Sequence, residues 1–332
     1  MQINTSGNAP QGLERTLTFR EQFFDDVVTG LSCYHKHLDS KYFYDAAGDA
    51  LFQQIMQCSE YYPTNCEMDI FMNKRSHIVH AISELLPPEY DVIELGAGDA
   101  SKSKYLLQEM VNQNVSFTYY PVDISGNILL ELEQQLPKSI PGLSMHGLHG
   151  DYMNMLKQAT ALSKKPKVVL FLGGNIGNFE PEAATQFCTE LNSQLNPGDL
   201  ILIGFDLKKH PMIILDAYND KQGFTRAFNL NLLHRINREL KGNFAINQFE
   251  HYPCYDPSTG ACKSYLISKV AQEVSINNEV SFLLNKDEPI YMEIAQKYST
   301  SEIHFLASES GFTNMCEFTD SKGWFADHLW QV

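Results

Sequence analysis

The stretch Tyr90-Asp91-Val92-Ile93-Glu94-Leu95-Gly96-Ala97-Gly98-Asp99-Ala100-Ser101-Lys102-Ser103-Lys104 decides how the fold of this chain is interpreted. The apolar run from Val92 to Leu95 is typical of a short, buried parallel strand. Gly96 and Gly98 then allow a tight turn in which no Cβ keeps a ligand away from the backbone. We expect a helix to begin at Ser101, so that its free N–H groups and positive dipole end face an anionic group.

The glycine pattern bears on the kind of ligand that this turn would hold. A dinucleotide-binding fingerprint needs a third glycine where this chain has Ser101, which disfavours a nicotinamide site. An acidic residue before G-x-G, without a third glycine, is typical of enzymes that use S-adenosylmethionine (SAM). Because short glycine motifs are common by chance, this stretch alone favours a SAM site and a simple strand-to-helix turn about equally.

Strands and helices alternate after this turn. A second strand ends in Asp123, which follows Gly98 by 25 residues, and the third unit closes with Gly150-Asp151-Tyr152, where an adenine could be held. Apolar strands at 168–172 and 200–204 follow, which predicts an α/β fold with a parallel sheet covered on both faces. Since ligands of such sheets lie at the carboxyl ends of the strands, Asp123 is a candidate for ribose binding. It is equally suited to cap the next helix, and the two roles are compatible.

The alternation stops after Asp206. Residues 211–250 have helical spacing, and a final helix and two strands near Met315–Phe318 and Trp324–Trp330 would complete the first sheet. Between these regions, three strands are predicted at Ser264–Val270, Val280–Leu284 and Ile290–Ile294. We therefore predict a discontinuous α+β substrate-binding domain (1–62 and 208–295) inserted in a SAM-binding domain (63–207 and 296–332), with the active site in the cleft between them.

Composition narrows the choice of partners. The net charge of −15 disfavours nucleic acid and anionic membranes, which bind clustered Lys and Arg, and leaves a small-molecule substrate. The N-terminus is polar, with residues 1–15 predicted to be disordered, and no run approaches the roughly 18 apolar residues of a membrane span. We expect a cytoplasmic monomer. The seven cysteines have no C-x-x-C spacing, so neither a zinc site nor a disulfide framework is predicted.

With these motifs, the chain resembles the histidine-specific, SAM-dependent methyltransferases, the family that makes the trimethyl betaine of histidine for ergothioneine synthesis. The resemblance covers most of the chain and keeps the family's order of motifs. The matching motifs are Tyr42-Phe43-Tyr44-Asp45, Glu60-Tyr61-Tyr62-Pro63-Thr64, Glu94-Leu95-Gly96-Ala97-Gly98, Pro121-Val122-Asp123, Gly150-Asp151, Ile176-Gly177-Asn178, Ala217-Tyr218, Phe228-Asn229, Ile236-Asn237-Arg238-Glu239-Leu240 and Met292-Glu293-Ile294.

The resemblance implies a Rossmann-like class I methyltransferase fold and residues for both ligands. The SAM contacts that it implies are Gly96, Lys102, Asp123, Asp151 and Tyr152, to which the turn itself adds Gly98. The backbone amine and carboxylate of an amino acid would be held by Tyr61, Asn178 and Tyr218. Glu293 and the residue two positions further on would recognise the imidazole. This chain has Ala295 at the latter position, where the family has serine, and Gly174-Asn175 where the family often has Ser-Thr.

The leading interpretation is therefore trimethylation of the α-amino group of L-histidine to hercynine. A different amino acid or related small amine remains open, because Ala295 makes room or offers an apolar contact. Methyl transfer from a sulfonium needs no metal, and positioning is the enzyme's main task. Tyr44 and Tyr61 are the catalytic candidates, either orienting the amine or taking up its proton, unless they serve only in aromatic packing.

Other roles compete with these. A dehydrogenase is disfavoured by Ser101, and a protein that binds SAM or an amino acid without catalysis is separable by a turnover assay. Asn178 could simply be a turn residue after Gly177. Glu293 lies on a strand interpreted as half-buried, so its carboxylate needs a partner, and Lys297 is the ordinary candidate.

Overall fold

The computed structural model describes residues 18–332, so the predicted disorder of residues 1–15 lies outside the described part. Within that part there are ten α-helices. They are α1 (Phe19–Ser32), α2 (Ala46–Gln57), α3 (Tyr62–Leu85), α4 (Ser103–Asn112), α5 (Gly126–Ser139), α6 (Tyr152–Leu162), α7 (Pro181–Ser193), α8 (Pro211–Ala217), α9 (Phe224–Glu239) and α10 (Thr300–Glu309).

The strands of the same residues form one large sheet and two small ones. They are β1 (Glu89–Leu95), β2 (Ser116–Asp123), β3 (Ser144–Met145), β4 (Leu148–His149), β5 (Lys167–Phe171), β6 (Leu200–Asp206), β7 (Phe249–Asp256), β8 (Ala261–Ser268), β9 (Gln272–Ile276), β10 (Val280–Leu284), β11 (Pro289–Gln296), β12 (Thr313–Thr319) and β13 (Phe325–Gln331).

The large sheet has the order β12-β13-β6-β5-β1-β2-β3, with β4 also paired to β2. Its strands from β6 to β3 run parallel to one another. Strand β13 runs antiparallel to β6, and β12 runs antiparallel to β13. The chain leaves β1 towards β2 on one side and later towards β5 on the other. The carboxyl ends of β1 and β5 therefore form the switch point at which such sheets bind ligands. The predicted α/β, Rossmann-like class I fold is confirmed.

Both faces of this sheet are buried, as the continuous apolar strands predict. Val92 packs with the helices of one face, among them α3 and α4, whereas its neighbour Ile93 packs with α6, α7 and α10 on the other. Successive strand residues point to opposite faces, so the strands are apolar at most positions rather than at every second one. A third buried cluster joins α1, α2 and α9 to the small sheets β7-β8-β11 and β9-β10.

Two details of the predicted insertion were wrong. The helical segment 211–250 is two helices that end at Glu239, after which β7 begins at Phe249. The strand β9 was missed because outward-facing polar residues alternate with only two buried ones, Val274 and Ile276. The domain boundaries after residues 62, 207 and 295 remain a prediction.

A residue before proline is biased towards an extended backbone, so the sequence predicts that Pro63 holds Tyr62 extended at a helix end, and the start of α3 differs from this. Tyr62 and Pro63 form the first turn of α3, and Tyr61 is its N-cap residue. A proline is tolerated there because the first amides of a helix have no intrahelical partner. Helix α4 begins at Ser103, two residues later than predicted. Among the described helices, none is both long and apolar enough to cross a membrane.

Gly204 on β6 provides a test of how tightly the sheet packs at its core. A Cβ at this position would lie 2.5 Å from Oε1 of Glu67 and 3.1 Å from Oδ1 of Asp327. We expect Gly204→Ala to lower the free energy of unfolding by about 1–3 kcal/mol through overpacking. Gly126→Ala is the matched control, since its Cβ would meet nothing closer than 3.7 Å. Urea unfolding of both variants is the measurement, and equal stabilities would contradict the expectation.

Candidate active site

A pocket lies beyond the carboxyl ends of β5 and β6, and we call it the central pocket. Its wall is formed by α2, the start of α3, the turn after β5, α9 and β11. All six residues predicted for substrate binding or catalysis contribute to this wall. They are Tyr44, Tyr61, Asn178, Tyr218, Glu293 and Ala295.

Asn178 reaches the wall because of the glycine before it. The 3₁₀ turn Asn175–Asn178 approaches the end of β11 so closely that a Cβ on Gly177 would lie 2.8 Å from the carbonyl oxygen of Gln296. Only glycine permits this approach without displacing the strand. The exposed Asn178 side chain therefore lies at the same wall as Ala295 and Glu293.

The predicted SAM residues lie beside the pocket, at the switch point. Gly96 and Gly98 have φ values of +74° and +52°. A Cβ on Gly96 would lie 2.9 Å from the Tyr152 hydroxyl oxygen and 3.4 Å from Nδ2 of Asn175. Asn175 and Gly173 themselves line the central pocket. The turn after β5 thus contacts both groups of predicted residues.

Asp123 supports the glycine turn. Its Oδ2 accepts a hydrogen bond from the Gly98 amide at 3.0 Å, and its Oδ1 accepts one from the Ser125 amide at 2.9 Å. Ser125, rather than Asp123, is the N-cap of α5. Since each carboxylate oxygen has two lone pairs, these contacts leave Asp123 able to accept further hydrogen bonds from a ligand.

Asp151 caps the start of α6. Its oxygens accept hydrogen bonds from the Asn154 amide at 3.0 Å and from Asn154 Nδ2 at 2.7 Å. Partial burial alone would raise the pKa of Asp151, but the hydrogen bonds from Asn154 hold that pKa below its ordinary value. The next residue, Tyr152, packs edge-on against Phe171 at 5.7 Å between ring centroids. The ionised, exposed Asp151 carboxylate and the packed Tyr152 ring therefore lie next to each other at this edge of the sheet.

Lys102 has a buried partner that the sequence analysis did not single out. Its ammonium donates a hydrogen bond to Oε2 of Glu67, a fully buried residue of α3. The other oxygen of Glu67 accepts a hydrogen bond from the Gly173 amide at 2.7 Å. One carboxylate thus fixes both turns of the switch point. No pattern in the sequence marks Glu67, because a single acid in an amphipathic helix normally faces solvent.

A buried ion cluster closes the other end of the central pocket. Asp206 accepts hydrogen bonds from Lys209 at 2.5 Å, from Lys297 at 2.7 Å and from the Tyr62 hydroxyl at 2.9 Å. The Lys297 ammonium also donates a hydrogen bond to the phenol oxygen of Tyr218 at 2.7 Å. Burial alone would lower the pKa of Lys297, but the Asp206 carboxylate raises it above the ordinary value. Lys297 is therefore committed to Asp206, and the predicted pairing with Glu293 was wrong.

Glu293 stands apart from this cluster. Its Oε1 accepts a hydrogen bond from Asn229 Nδ2 at 3.1 Å, and no cation of residues 18–332 forms an ion pair with it. Desolvation raises the pKa of Glu293. The other amide atom, Asn229 Oδ1, is buried with no hydrogen-bond partner among the described residues. Ser264 also hydrogen-bonds to the Glu293 carboxylate. The pocket wall therefore presents a desolvated carboxylate that forms no ion pair with a described residue.

Aromatic rings form the rest of the wall. The Tyr61 and Tyr218 ring centroids are 6.2 Å apart, and Phe52 and Phe228 pack edge-on against Tyr44 at 5.8 and 5.6 Å. Burial raises the pKa of both Tyr61 and Tyr218 well above the ordinary value. Desolvation, assisted by the Glu293 charge, also raises the pKa of Tyr44, although 43% of its surface is exposed. All three phenols are therefore protonated at neutral pH and can donate a hydrogen bond to a ligand.

The family model described as "Histidine-specific methyltransferase, SAM-dependent" matches residues 23–332. The chain belongs to this family. It is therefore an enzyme, a methyltransferase whose methyl donor is SAM. A histidine N-alpha-methyltransferase from Mycolicibacterium smegmatis is 31% identical over 303 residues, which are 90% of this chain and 92% of the relative.

Two other relatives show how the family varies. Ergothioneine biosynthesis protein 1 of Neurospora crassa is 30% identical over 291 residues, 86% of this methyltransferase but only 32% of that longer protein. A 4-dimethylallyltryptophan N-methyltransferase from Penicillium roqueforti is 24% identical over 318 residues, 92% of each chain.

Glu94, the acid before the glycine turn, predicts a pH dependence of stability in this methyltransferase. Burial raises its pKa from 4.5 to about 7. The folded state then holds the proton more tightly, so stability falls as the pH rises from about 4.5 to about 7. We expect Glu94→Gln, which lacks this titration, to gain up to about 3 kcal/mol over the wild type across that range. Parallel urea unfolding curves from pH 4.5 to 8 measure the difference, and a constant offset would contradict it.

Proposed function

We propose that this enzyme transfers three methyl groups in succession to the α-amino nitrogen of L-histidine, giving hercynine. The observation that carries the proposal is Glu293, a desolvated carboxylate in the pocket wall that forms no ion pair with any residue of 18–332. A carboxylate in such surroundings favours a ligand that donates to it. An imidazole N–H donating to Glu293 would form a charge-assisted hydrogen bond worth roughly 1.5–3 kcal/mol.

The opposite end of the pocket suits the amino-acid backbone. Lys297 and Lys209 together carry two positive charges against the single negative charge of Asp206. The surplus positive charge favours an α-carboxylate at this end, where the Tyr218 and Tyr61 hydroxyls are further donors. We assign Asn178, with both donor and acceptor atoms, to the amine and carboxylate as well.

The spacing of the wall supports this orientation. Glu293, Ala295 and Lys297 alternate along and just beyond β11 and all line the pocket. Two residues of a strand span about 6.6 Å, so the acid and the cation lie at opposite ends with Ala295 midway. A zwitterion with an N–H donor on its side chain matches that charge pattern, which an amino acid with an apolar side chain does not.

Ala295 bears on how strongly histidine is preferred. A neutral hydrogen bond from a serine contributes roughly 0.5–1.5 kcal/mol, so its absence weakens imidazole recognition without abolishing it. The Penicillium roqueforti relative is named for a different substrate, 4-dimethylallyltryptophan. The similarity to this relative makes tryptophan an informative competitor in any substrate test.

For the methyl donor, we assign the ribose to Asp123, the adenine edge to Asp151 and Tyr152, and close backbone approach to Gly96 and Gly98. Lys102 completes this set beside Gly173. The positive φ values and the short distance from Gly96 to Tyr152 support a turn kept free of side chains. SAM supplies a methyl group on a positively charged sulfur, an already activated leaving group, so the proposed displacement uses no metal.

The residues of the wall then have to orient a neutral amine towards the methyl carbon. Because the phenols of Tyr44 and Tyr61 have raised pKa values, we propose that they position the amine by hydrogen bonding and that its proton leaves to water. Good alignment of the two reacting groups alone can supply several kcal/mol of the barrier reduction.

We also propose the division into a SAM-binding domain (63–207 and 296–332) and a substrate-binding domain (1–62 and 208–295), since the wall combines residues of both. We further propose that the enzyme acts as a monomer. All seven cysteines are free, which supports a reducing, cytoplasmic location, and the net charge of −15 supports a free amino acid rather than a nucleic acid or membrane partner.

The decisive experiment varies the side-chain end of the pocket. We expect Glu293→Gln to lower kcat/KM for histidine by about 10- to 100-fold, the equivalent of one charge-assisted hydrogen bond. Ala295→Ser should raise it by up to about tenfold. Glu273→Gln, at an exposed acid on β9, is the control. Each variant is assayed with labelled SAM and the twenty amino acids separately, and SAM affinity is followed by calorimetry. Strong transfer to another amino acid, with histidine inert, would contradict the proposal.

A second experiment separates charge balance from substrate binding. Lys297→Met and Lys209→Met each remove one of the two cations bound to Asp206, so both should lower the free energy of unfolding by about 2–3 kcal/mol. Only Lys297 lines the central pocket and holds Tyr218, so only its variant should raise KM for the amino acid, by at least about tenfold. Equal KM values in the two variants would show that the cluster is purely structural.

A further inference from the structure

A cluster of ionisable side chains outside the central pocket joins α10 to the antiparallel strands β12 and β13. His304 of α10, Glu317 of β12 and His328 of β13 each have one potential ligand atom within 4.8 Å of the other two. None of the three lines the central pocket. Two are exposed and His328 is fully buried, so the cluster opens to solvent on one side only.

His328 is the residue that points to a ligand. Its Nδ1 lies 3.0 Å from Oδ1 of Asn314, a contact in which the imidazole N–H donates to the amide oxygen. Its Nε2 is buried and has no hydrogen-bond partner within residues 18–332. The nearest acidic atom, Oε2 of Glu317, is 3.6 Å away, beyond hydrogen-bond distance. A buried nitrogen lone pair left unsatisfied in this way is costly unless something binds to it.

Asn314 also organises the second imidazole. Its Nδ2 lies 3.3 Å from Nε2 of His304, which accepts this contact with a lone pair. The two histidine rings are nearly perpendicular, with centroids 5.9 Å apart. Metal-binding histidines characteristically have their second nitrogen fixed by an amide or carboxylate oxygen, as His328 does here. To bind a metal through Nε2, His304 would exchange its 3.3 Å contact with Asn314 Nδ2 for the metal, whereas Nε2 of His328 has no hydrogen bond among the described residues to give up.

We propose that His304, Glu317 and His328 bind a divalent transition metal of the Zn²⁺ class, with water as the fourth ligand. Two imidazoles and one carboxylate form a donor set that Zn²⁺ accepts in tetrahedral geometry. Ligand atoms around tetrahedral Zn²⁺ are about 3.3 Å apart, so the cluster has to contract slightly. The exposed His304 and Glu317 side chains would make this movement, with His304 giving up its contact with Asn314, whereas the buried His328 keeps its contact with Asn314 Oδ1.

The position of the site defines its role. Strand β12 is the outer strand of the large sheet, and α10 immediately precedes it in the chain. A metal held by one residue from each of α10, β12 and β13 would fasten this edge to the helix that covers it. The metal is therefore structural and takes no part in methyl transfer. Cysteine spacing in the sequence does not indicate this metal site, because its three ligands come together only in the folded sheet.

The test uses the full-length protein, freed of metal by a chelator, and Zn²⁺ as the probe. Competition with a chelating dye measures affinity and stoichiometry, and thermal unfolding measures Tm with and without Zn²⁺. The variants are His304→Ala and Glu317→Gln, both at exposed positions. His80→Ala is the matched control, since His80 forms an exposed pair with Glu84, at 3.9 Å, that has no third ligand.

We expect the wild type and His80→Ala to bind one Zn²⁺ per chain at this site with a raised Tm, and each of the two cluster variants to lose at least about tenfold in affinity together with the rise in Tm. Methyl transfer at saturating substrate should be the same in all four proteins, which shows that they are folded. Absence of Zn²⁺ uptake by the wild type, or unchanged affinity in either cluster variant, overturns the proposal.

Discussion

The buried carboxylate of Asp206 is the interaction on which the architecture of this enzyme most depends. It ends the central strand β6, and its partners come from three other parts of the chain: Tyr62 at the start of α3, Lys209 before α8, and Lys297 just beyond β11. A buried acid without such partners would be strongly destabilising. The large sheet, α3, the segment before α8 and the end of β11 therefore meet at a point where opposite charges stabilise each other, and the central pocket opens directly beside it.

A second buried carboxylate, Glu67, joins distant parts of the chain at the proposed SAM site. By binding both Lys102 and the Gly173 amide, it holds the turn after β1 against the turn after β5. Asn175, in the second of these turns, lies against Gly96 and also lines the central pocket. The two proposed ligands would thus approach each other across a few residues whose positions are set by buried polar contacts. Such rigidity is what alignment of a methyl group with an amine demands.

Several acids near the site are held in surroundings that disfavour their charge. Burial raises the pKa of Glu94 and of Glu293, and burial together with the nearby Glu67 raises the pKa of Asp327 well above its ordinary value. Each of these groups reduces stability at neutral pH, because its ionised form is less well solvated in the folded state. By holding these acids at the switch point and in the pocket, the fold gives up stability where polar groups are available for binding. Metal binding at the site proposed at the far edge of the sheet would instead raise the stability of the fold.

The sequence by itself determined the sheet and the order of its ligand-binding turns, because these follow from local patterns. The apolar runs around Val92 and Val168, and the glycines at 96 and 98, report burial and backbone geometry within a few residues. Motif order identified the family and singled out Tyr61, Asn178, Tyr218 and Glu293 as the residues of one wall. Only the tertiary structure decided which charges pair. Lys297 lies four residues from Glu293 yet binds Asp206, and Glu67, Asn229 and the three potential metal ligands find their partners across distant segments. Pairing depends on which side chains share a desolvated space, and spacing along the chain does not encode that.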